Sequence, residues 1–240
     1  MTDLHTHILP GMDDGSPNAE ESLRMLRMEA EQGIDTVALT PHYYRQKEKP
    51  AAFLERRRIA QEKLSAAIAA LPAEERRALP AMTIGAEVFW VPGLLDYSEI
   101  LQLCYGASRY LLVELPMDPW EQPLIDRLYD LTGHYGITPV IAHIDRYLSV
   151  QKPQMLRELF ELGVPVQVSA SMLLKFWGRS DALHLVERGN AQLLISDCHN
   201  TGHRPPNLGP ALEVIRKKLG SSAVRRLSEA SDAVAVGKPI

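Results

Sequence analysis

Cysteine is nearly absent. The 240 residues contain two, Cys104 and Cys198. A pair this sparse makes neither a disulfide framework nor a zinc-knuckle pattern, so a reducing compartment fits. Long apolar runs are missing too: no segment approaches the roughly 20 apolar residues that span a bilayer. The opening MTDLHTHILPG lacks a basic region followed by a long apolar stretch. The expectation is a cytoplasmic protein without membrane insertion. An excess of positive charge is also lacking. Lys and Arg number 26 against 30 Asp and Glu, a net −4, so there is no global basic field of the kind that draws nucleic acid. Internal repeats and low-complexity linkers are absent. No Gly-x-Gly-x-x-Gly follows the first apolar run, which removes the main support for a dinucleotide-binding open sheet. What is present is an ordinary globular composition, 45% hydrophobic, long enough for one large domain with a substantial core. Residues 1–240 are read as a single domain.

Short apolar runs alternate with longer amphipathic ones. The strand candidates are Asp3–Ile8, Thr36–Thr40, Met82–Glu87, Tyr110–Leu115, Thr138–Ala142, Val164–Ser169 and Gln192–Ser196. Helical patterns run over Asn18–Gln32, Ala51–Leu71, Pro123–Tyr135, Pro153–Leu162 and Pro210–Leu219, the first with Asn18 as N-cap and Gly33 as stop. The crossover around Leu94–Cys104 is short and weakly patterned, and the tail from Ser221 to Ile240 carries one short helical pattern with no assigned role. Strands separated by helices imply a parallel sheet, because parallel neighbours need long crossovers. An α/β barrel of the TIM type, distorted to seven strands, fits this order, and in such barrels the chemistry sits where the strands end.

Polar residues collect at those ends. His5 and His7 lie two apart on the first strand and face one side. Asp13 and Asp14 follow in the loop, His42 ends the second strand, Glu87 the third, Glu114 the fourth, His143 the fifth, and Asp197 and His199 the last. Five of the eight histidines thus sit at strand ends, while His134, His184 and His203 fall in helices or a late loop. One such residue is ordinarily a solvated or capping group. An ordered ring of them would be costly without compensation, because unpaired charge is expensive to desolvate. Divalent cations supply that compensation. Imidazole and carboxylate without thiolate suit Mn, Fe(II) or Zn, and so many donors imply more than one ion.

The segments HTHILPGMDDG, TPHYY, GAEVF, AHIDRY, SDCHN and RPPNLG, in this order over residues 1 to about 215, resemble the PHP superfamily. Within it they resemble the CpsB/CapC-type bacterial protein-tyrosine phosphatases of capsule and exopolysaccharide loci. The resemblance implies a distorted (β/α)7 barrel of the PHP fold holding three divalent metals, manganese first and Fe(II) or Zn as the other candidates. It places His5, His7, Glu87 and Asp197 on one ion, with Glu87 bridging to a second that Glu114 and His143 also hold. The third falls to Asp14, His42 and His199, and Asp13 is left as a supporting or turn-forming residue. Two departures stand out. His143-Ile144-Asp145-Arg146-Tyr147 replaces the commoner His-Pro-Glu-Arg-Tyr, and Cys198 replaces the alanine of Ser-Asp-Ala-His-Asn. Neither removes a ligand.

The chemistry that follows is phosphomonoester hydrolysis. Four carboxylates against three divalent ions leave a charge of about +2, which favours a phosphate dianion. A metal-bridging hydroxide would attack phosphorus in line with the departing oxygen. Arg146 and Arg204 match the family's phosphate-binding arginines and would clamp the phosphoryl oxygens with forked donors. A tyrosyl leaving group, with a pKa near ~10, needs less help from an acid than an alkoxide does. By resemblance the partner would be a bacterial tyrosine kinase carrying phosphotyrosine.

Other readings compete. Cys198 to Arg204 satisfies the Cys-x5-Arg spacing of thiolate tyrosine phosphatases, but Pro205 and Pro206 follow where the phosphate-binding helix should begin. Histidinol phosphate and nucleic-acid ends are substrates of other PHP proteins. The basic stretch Arg45–Arg58 is interrupted by Glu48 and Glu55 and reads as a solvated helix face. A non-catalytic metal-binding module is the remaining alternative, and the intact ligand set argues against it.

Overall fold

A computed structural model describes residues 1–94 and 98–240. Each of the seven strand candidates contains a strand, and two of the runs continue past a break. β1 (Thr2–Thr6) leads to α1 (Ala19–Glu31). The Asn18 side chain accepts from the Glu21 N–H at the start of α1, and Gly33 follows its end at φ +76°. β2 (Thr36–Leu39) is cut by Thr40–Pro41 and resumes as β3 (His42–Tyr43), because proline has no N–H for the ladder. α2 (Pro50–Ala69) and α3 (Ala73–Ala78) then cross to β4 (Ala81–Ile84), which resumes after Gly85 and Ala86 as β5 (Glu87–Phe89). The expected Met82–Glu87 strand is therefore two pieces. A side chain at Gly85 would crowd Tyr105 Cδ1 at 3.1 Å.

The weakly patterned crossover holds a short 3-10 helix, Ser98–Leu103. The rest of that expectation, Leu95 to Tyr97, lies outside the described residues. β6 (Tyr110–Glu114), α4 (Gln122–Tyr135), β7 (Thr138–Ile141), a 3-10 turn at Ile144–Arg146 and α5 (Pro153–Glu161) come next. They are followed by β8 (Gln167–Ser169), α6 (Ala170–Leu174), α7 (Arg179–Glu187), β9 (Leu193–Ile195), α8 (Leu208–Leu219) and α9 (Ser221–Ala235).

All pairings are parallel. β1, β2 and β4 form one sheet, β3, β5, β6 and β7 a second, and β8 and β9 a third. The chain's own continuation joins the first two. A bridge between Ile141 and Val166 joins β7 to the β8 segment, and one between Thr6 and Cys198 joins the end of β9 to β1. Backbone bonds from His7 N–H to Cys198 O (2.9 Å) and from Asp197 N–H to His5 O (3.0 Å) close the ring. The result is a distorted (β/α)7 barrel, as expected.

Alternation sorts the side chains. Leu4, Ala38, Leu112, Val140, Leu193 and Ile195 pack into one buried cluster inside the ring. Val37, Leu39, Leu111, Val113, Ile141 and Leu194 belong to a larger one facing the helices. The tail does have a place. Val234 of α9 is buried in the inner cluster. Thr2 Oγ1 donates to Asp232, and Tyr110 Oη to Lys238 O, both from the first residues of strands. α9 therefore stoppers the end of the barrel where the strands begin, leaving the other end for chemistry. No described helix is long and apolar enough to cross a membrane.

Candidate metal centre

β1 delivers His5 and His7 already oriented. His5 Nδ1 meets Gln167 Oε1 at 3.0 Å, and His7 Nδ1 meets Asp13 Oδ2 at 2.8 Å. Each outer nitrogen is engaged, so each Nε2 is directed inward as a potential ligand. Asp13 holds more than His7: it accepts from the His42 N–H at 2.8 Å and the Gly15 N–H at 3.0 Å. This is the supporting and turn-forming role expected of it. Only glycine fits at position 15, where a Cβ would stand 2.3 Å from His7 O.

Three groups of donors converge. In the first, His5 Nε2 and His7 Nε2 are 3.2 Å apart. They lie 3.2 and 3.4 Å from Glu87 Oε2 and 3.6 and 3.5 Å from Asp197 Oδ1. In the second, His143 Nε2 stands 2.9 Å from Glu87 Oε1 and 3.6 Å from Glu114 Oε1. Glu87 thus turns one oxygen to each group. In the third, Asp14 Oδ1 lies 3.5 Å from His42 Nε2 and 3.6 Å from His199 Nε2. All nine residues expected as ligands are brought together. The groups overlap more than a one-to-one division would have it, since His7 also lies with Asp14, His42 and His199, and His42 with Glu87 and Glu114.

The donor set fits cations. Glu87 and His143 are buried, as are His5 and His7. Glu87 Oε2 and His199 Nε2 have no hydrogen-bond partner among the described residues. Burial pushes Glu114 above the ordinary carboxylate range, and the neighbouring Glu87 charge adds to it. Burial, reinforced by His7, holds His199 down to about 3. Burial would raise Glu87 and Asp197 as well, but the adjacent histidines, His5 foremost, overcome it and keep both well below their usual values. Buried carboxylates that stay charged among clustered imidazole rings, with His199 held neutral, are what divalent ions complete. His143 (φ +29°) and Asp197 (φ +53°) are the non-glycine residues at positive φ among those described. Backbone strain of this kind persists where the surroundings over-determine it, which is characteristic of working sites.

Arg146 and Arg204 both point their Nη2 at Asp197 Oδ2, Arg204 at 2.5 Å. Each remains more than a third exposed. The loop that returns Arg204 is built by Asn200, whose Oδ1 accepts from the N–H groups of Gly202, His203 and Arg204. It is tied to α1 where Thr201 donates through N–H and Oγ1 to Glu21 Oε1. Both changed residues of the first departure are accommodated: Asp145 accepts from the Ser169 N–H at 2.8 Å, and Ile144 is fully buried.

Cys198 is not part of this centre. Its Sγ is buried against Glu29 Oε1 at 3.7 Å, and burial, with the Glu29 and Asp3 carboxyls adding, pushes the thiol well above its usual value. A protonated thiol facing α1 is no nucleophile, so the Cys-x5-Arg spacing is coincidental. In the basic stretch, Arg56 pairs with Glu48 and Arg58 with Glu55 and Glu62, while Arg57 is buried on the carbonyls of Gly85 and Gln102.

Above the third group opens a cleft of about 290 Å³ lined by Met12, Asp13, Asp14, His42, Tyr44 and Lys47 among others. Tyr44 stands 5.4 Å from the His42 ring and 5.8 Å from Phe89. A larger cleft of about 670 Å³ beyond Trp90 and Trp120 is mostly apolar and holds none of the donor groups. Gln167, Asn200, Glu21 and Tyr44 were missed from the sequence. Only Gln167 left a signal, as a polar residue inside the apolar run Val164–Ser169.

The model of the family described as capsular polysaccharide synthesis, CpsB/CapC, matches residues 1–234. The chain belongs to that family. Among CpsB/CapC relatives, the tyrosine-protein phosphatase YwqE of Bacillus subtilis is 32% identical over 95% of this chain and 89% of its own length. The tyrosine-protein phosphatase CpsB of Streptococcus pneumoniae is 30% identical over 95% of this chain and 94% of its own. A chain from the crystal structures of YwqE and CpsB, described as unique metal-dependent tyrosine phosphatases, superposes with a TM-score of 0.85. It is 28% identical, covering 100% of this chain and 96% of that one.

Proposed function

We propose that this CpsB/CapC member is a metal-dependent phosphotyrosine phosphatase, its whole chain of 1–240 working as one cytoplasmic catalytic domain. Its substrate is a phosphotyrosine protein, and the kinase that serves capsule or exopolysaccharide production is the partner we assign. The observation that carries the reading is the convergence of three His and carboxylate groups beneath two arginines. Relatives described as metal-dependent tyrosine phosphatases support it along nearly the full chain.

We assign His5, His7, Glu87 and Asp197 to one ion, Glu87, Glu114 and His143 to a second, and Asp14, His42 and His199 to a third. Manganese suits this set first, with Fe(II) or Zn as the other candidates. Bound there, such ions supply Lewis-acid activation of water and positive charge for the phosphate. The chain's own residues do the rest. Gln167 and Asp13 hold the rings of His5 and His7 in position. Arg146 and Arg204, now sharing Asp197 Oδ2, are placed to turn their forked donors to phosphoryl oxygens. Tyr44 and Phe89 line the approach with ring faces that suit a phenyl group.

The test is hydrolysis of a phosphotyrosine peptide, histidinol phosphate and single-stranded DNA with Mn(II), after complete chelation, and in Cys198→Ser. The expected outcome is phosphotyrosine hydrolysis that needs metal and survives Cys198→Ser. Activity that outlasts chelation but disappears in Cys198→Ser would sink the metal assignment. Preference for histidinol phosphate would move the substrate class and leave the chemistry standing.

A further inference from the structure

The two most exposed large apolar residues described are neighbours. Phe176 is 83% and Trp177 82% exposed, with their rings edge-on at 5.3 Å and 88°. Exposing two adjacent aromatics is unusual for a protein surface and marks an interaction site more often than chance.

This exposure is built in. Gly178 turns the chain at φ +89°, where a Cβ would overlap the Met172 side chain at 2.2 Å. Arg179 reaches back, Nε to Leu173 O at 2.6 Å and Nη2 to Leu174 O at 3.1 Å, capping the C-terminal end of α6. The rings are thus held outward by a glycine turn on one side and an arginine-capped helix on the other.

Their position is informative. They sit on the connection after β8, on the side of the barrel where strands end. β8 lies between β7, which leads into His143 and Arg146, and β9, which leads into Asp197 and Arg204. The pair therefore stands on the rim between the two strands that supply the arginines. The same turn sets Lys175 and Arg179 against one carboxylate, Asp181: Arg179 spends its hydrogen bonds on carbonyls, and exposed Lys175 has no carboxylate partner among the described residues. The chain as a whole carries −4, whereas this turn keeps a net positive charge.

We propose that Phe176 and Trp177 form a docking platform for the polypeptide flanking the phosphotyrosine, with Lys175 drawing acidic residues of that segment. This rests on the phosphotyrosine reading above. Side chains next to the phosphotyrosine lie across the two rings while the phosphate goes to Arg146 and Arg204. A small aryl phosphate has nothing to lay on the platform. Aromatic anchors of this kind commonly dominate recognition.

The experiment compares the metal-loaded wild type with Phe176→Ala/Trp177→Ala and with Lys175→Glu, on p-nitrophenyl phosphate and on a phosphotyrosine peptide with acidic residues on both sides. For the double variant, KM for the peptide should rise about tenfold, the loss of one interface anchor, with kcat and p-nitrophenyl phosphate turnover unchanged. Lys175→Glu should also raise the peptide KM. Peptide kinetics equal to wild type, or equal losses on both substrates, overturn the platform while sparing the phosphotyrosine reading. A wild type that turns over p-nitrophenyl phosphate but not the peptide overturns both. Binding to anionic lipid vesicles that is lost in the double variant, with peptide kinetics unchanged, overturns the platform in favour of a membrane surface.

Discussion

Asp13 shows how much one side chain outside the ligand set contributes. It engages His7 Nδ1, the His42 N–H and the Gly15 N–H together, so it positions residues of two donor groups. Burial would lower His7, but Asp13 foremost raises it well above its usual value, so an ion at Nε2 takes a proton's place there, and Asp13 itself is held down at about 2 by the pair despite its burial. Asp13→Asn keeps the shape and removes the charge. It should weaken metal affinity roughly 10- to 100-fold, the usual cost of losing a carboxylate behind a ligating histidine. Activity titrated against Mn(II) should then recover at high metal. A loss that persists at saturating metal would show that Asp13 acts in another way. That Asp13 was a support was legible in the DDG turn. That it served two histidines at once was not, because His42 lies 29 residues away in sequence.

Elements come next. Each strand candidate was visible as a short apolar run, but the breaks at Thr40–Pro41 and Gly85–Ala86 change what those runs do. β3 and β5 form a second tier, pairing His42 with Glu87 in register. That pairing brings His42 Nδ1 to 2.8 Å from Glu87 Oε2. α9 was the element least legible in sequence, because its apolar positions, Ala223, Leu227 and Val234, look like those of a surface helix. Val234→Ala leaves a void in the buried cluster that also holds Leu4 and Leu193, at the closed end of the barrel. A destabilisation of roughly 1–3 kcal/mol is expected, seen as a lower Tm, with kcat for the folded enzyme unchanged because the metal centre is at the other end. Loss of activity at an unchanged Tm would contradict this division of the barrel.

At the scale of the whole molecule, ions bound at the proposed centre would tie the ring together as well as serve chemistry. Its residues come from β1 and the loop after it, from β3, β5 and β6, and from the segments after β7 and β9. Ligands that bind only the folded state add stability, about 2.7 kcal/mol when present at a hundred times their dissociation constant. Complete chelation should therefore lower Tm by several degrees, and Mn(II) should restore it in a concentration-dependent way. A Tm indifferent to metal would mean that the cluster is satisfied without ions.

Composition, strand periodicity and the ordered His, Asp and Glu at strand ends were determined by the amino-acid sequence alone, since spacing along a strand sets which side a residue faces. The ten polar residues at strand ends, Asp13 among them, could therefore be named by position, while the choice of nine ligands from that set and of the two arginines rested on the family resemblance. The tertiary structure decided which oxygen of Glu87 serves which group, that Cys198 faces α1, that α9 closes the barrel, and that Phe176 and Trp177 stay outside. Those outcomes depend on contacts between residues far apart in the chain, such as Cys198 with Glu29 and Gln167 with His5. Local periodicity carries no information about contacts of that range, so only the closed ring reveals them.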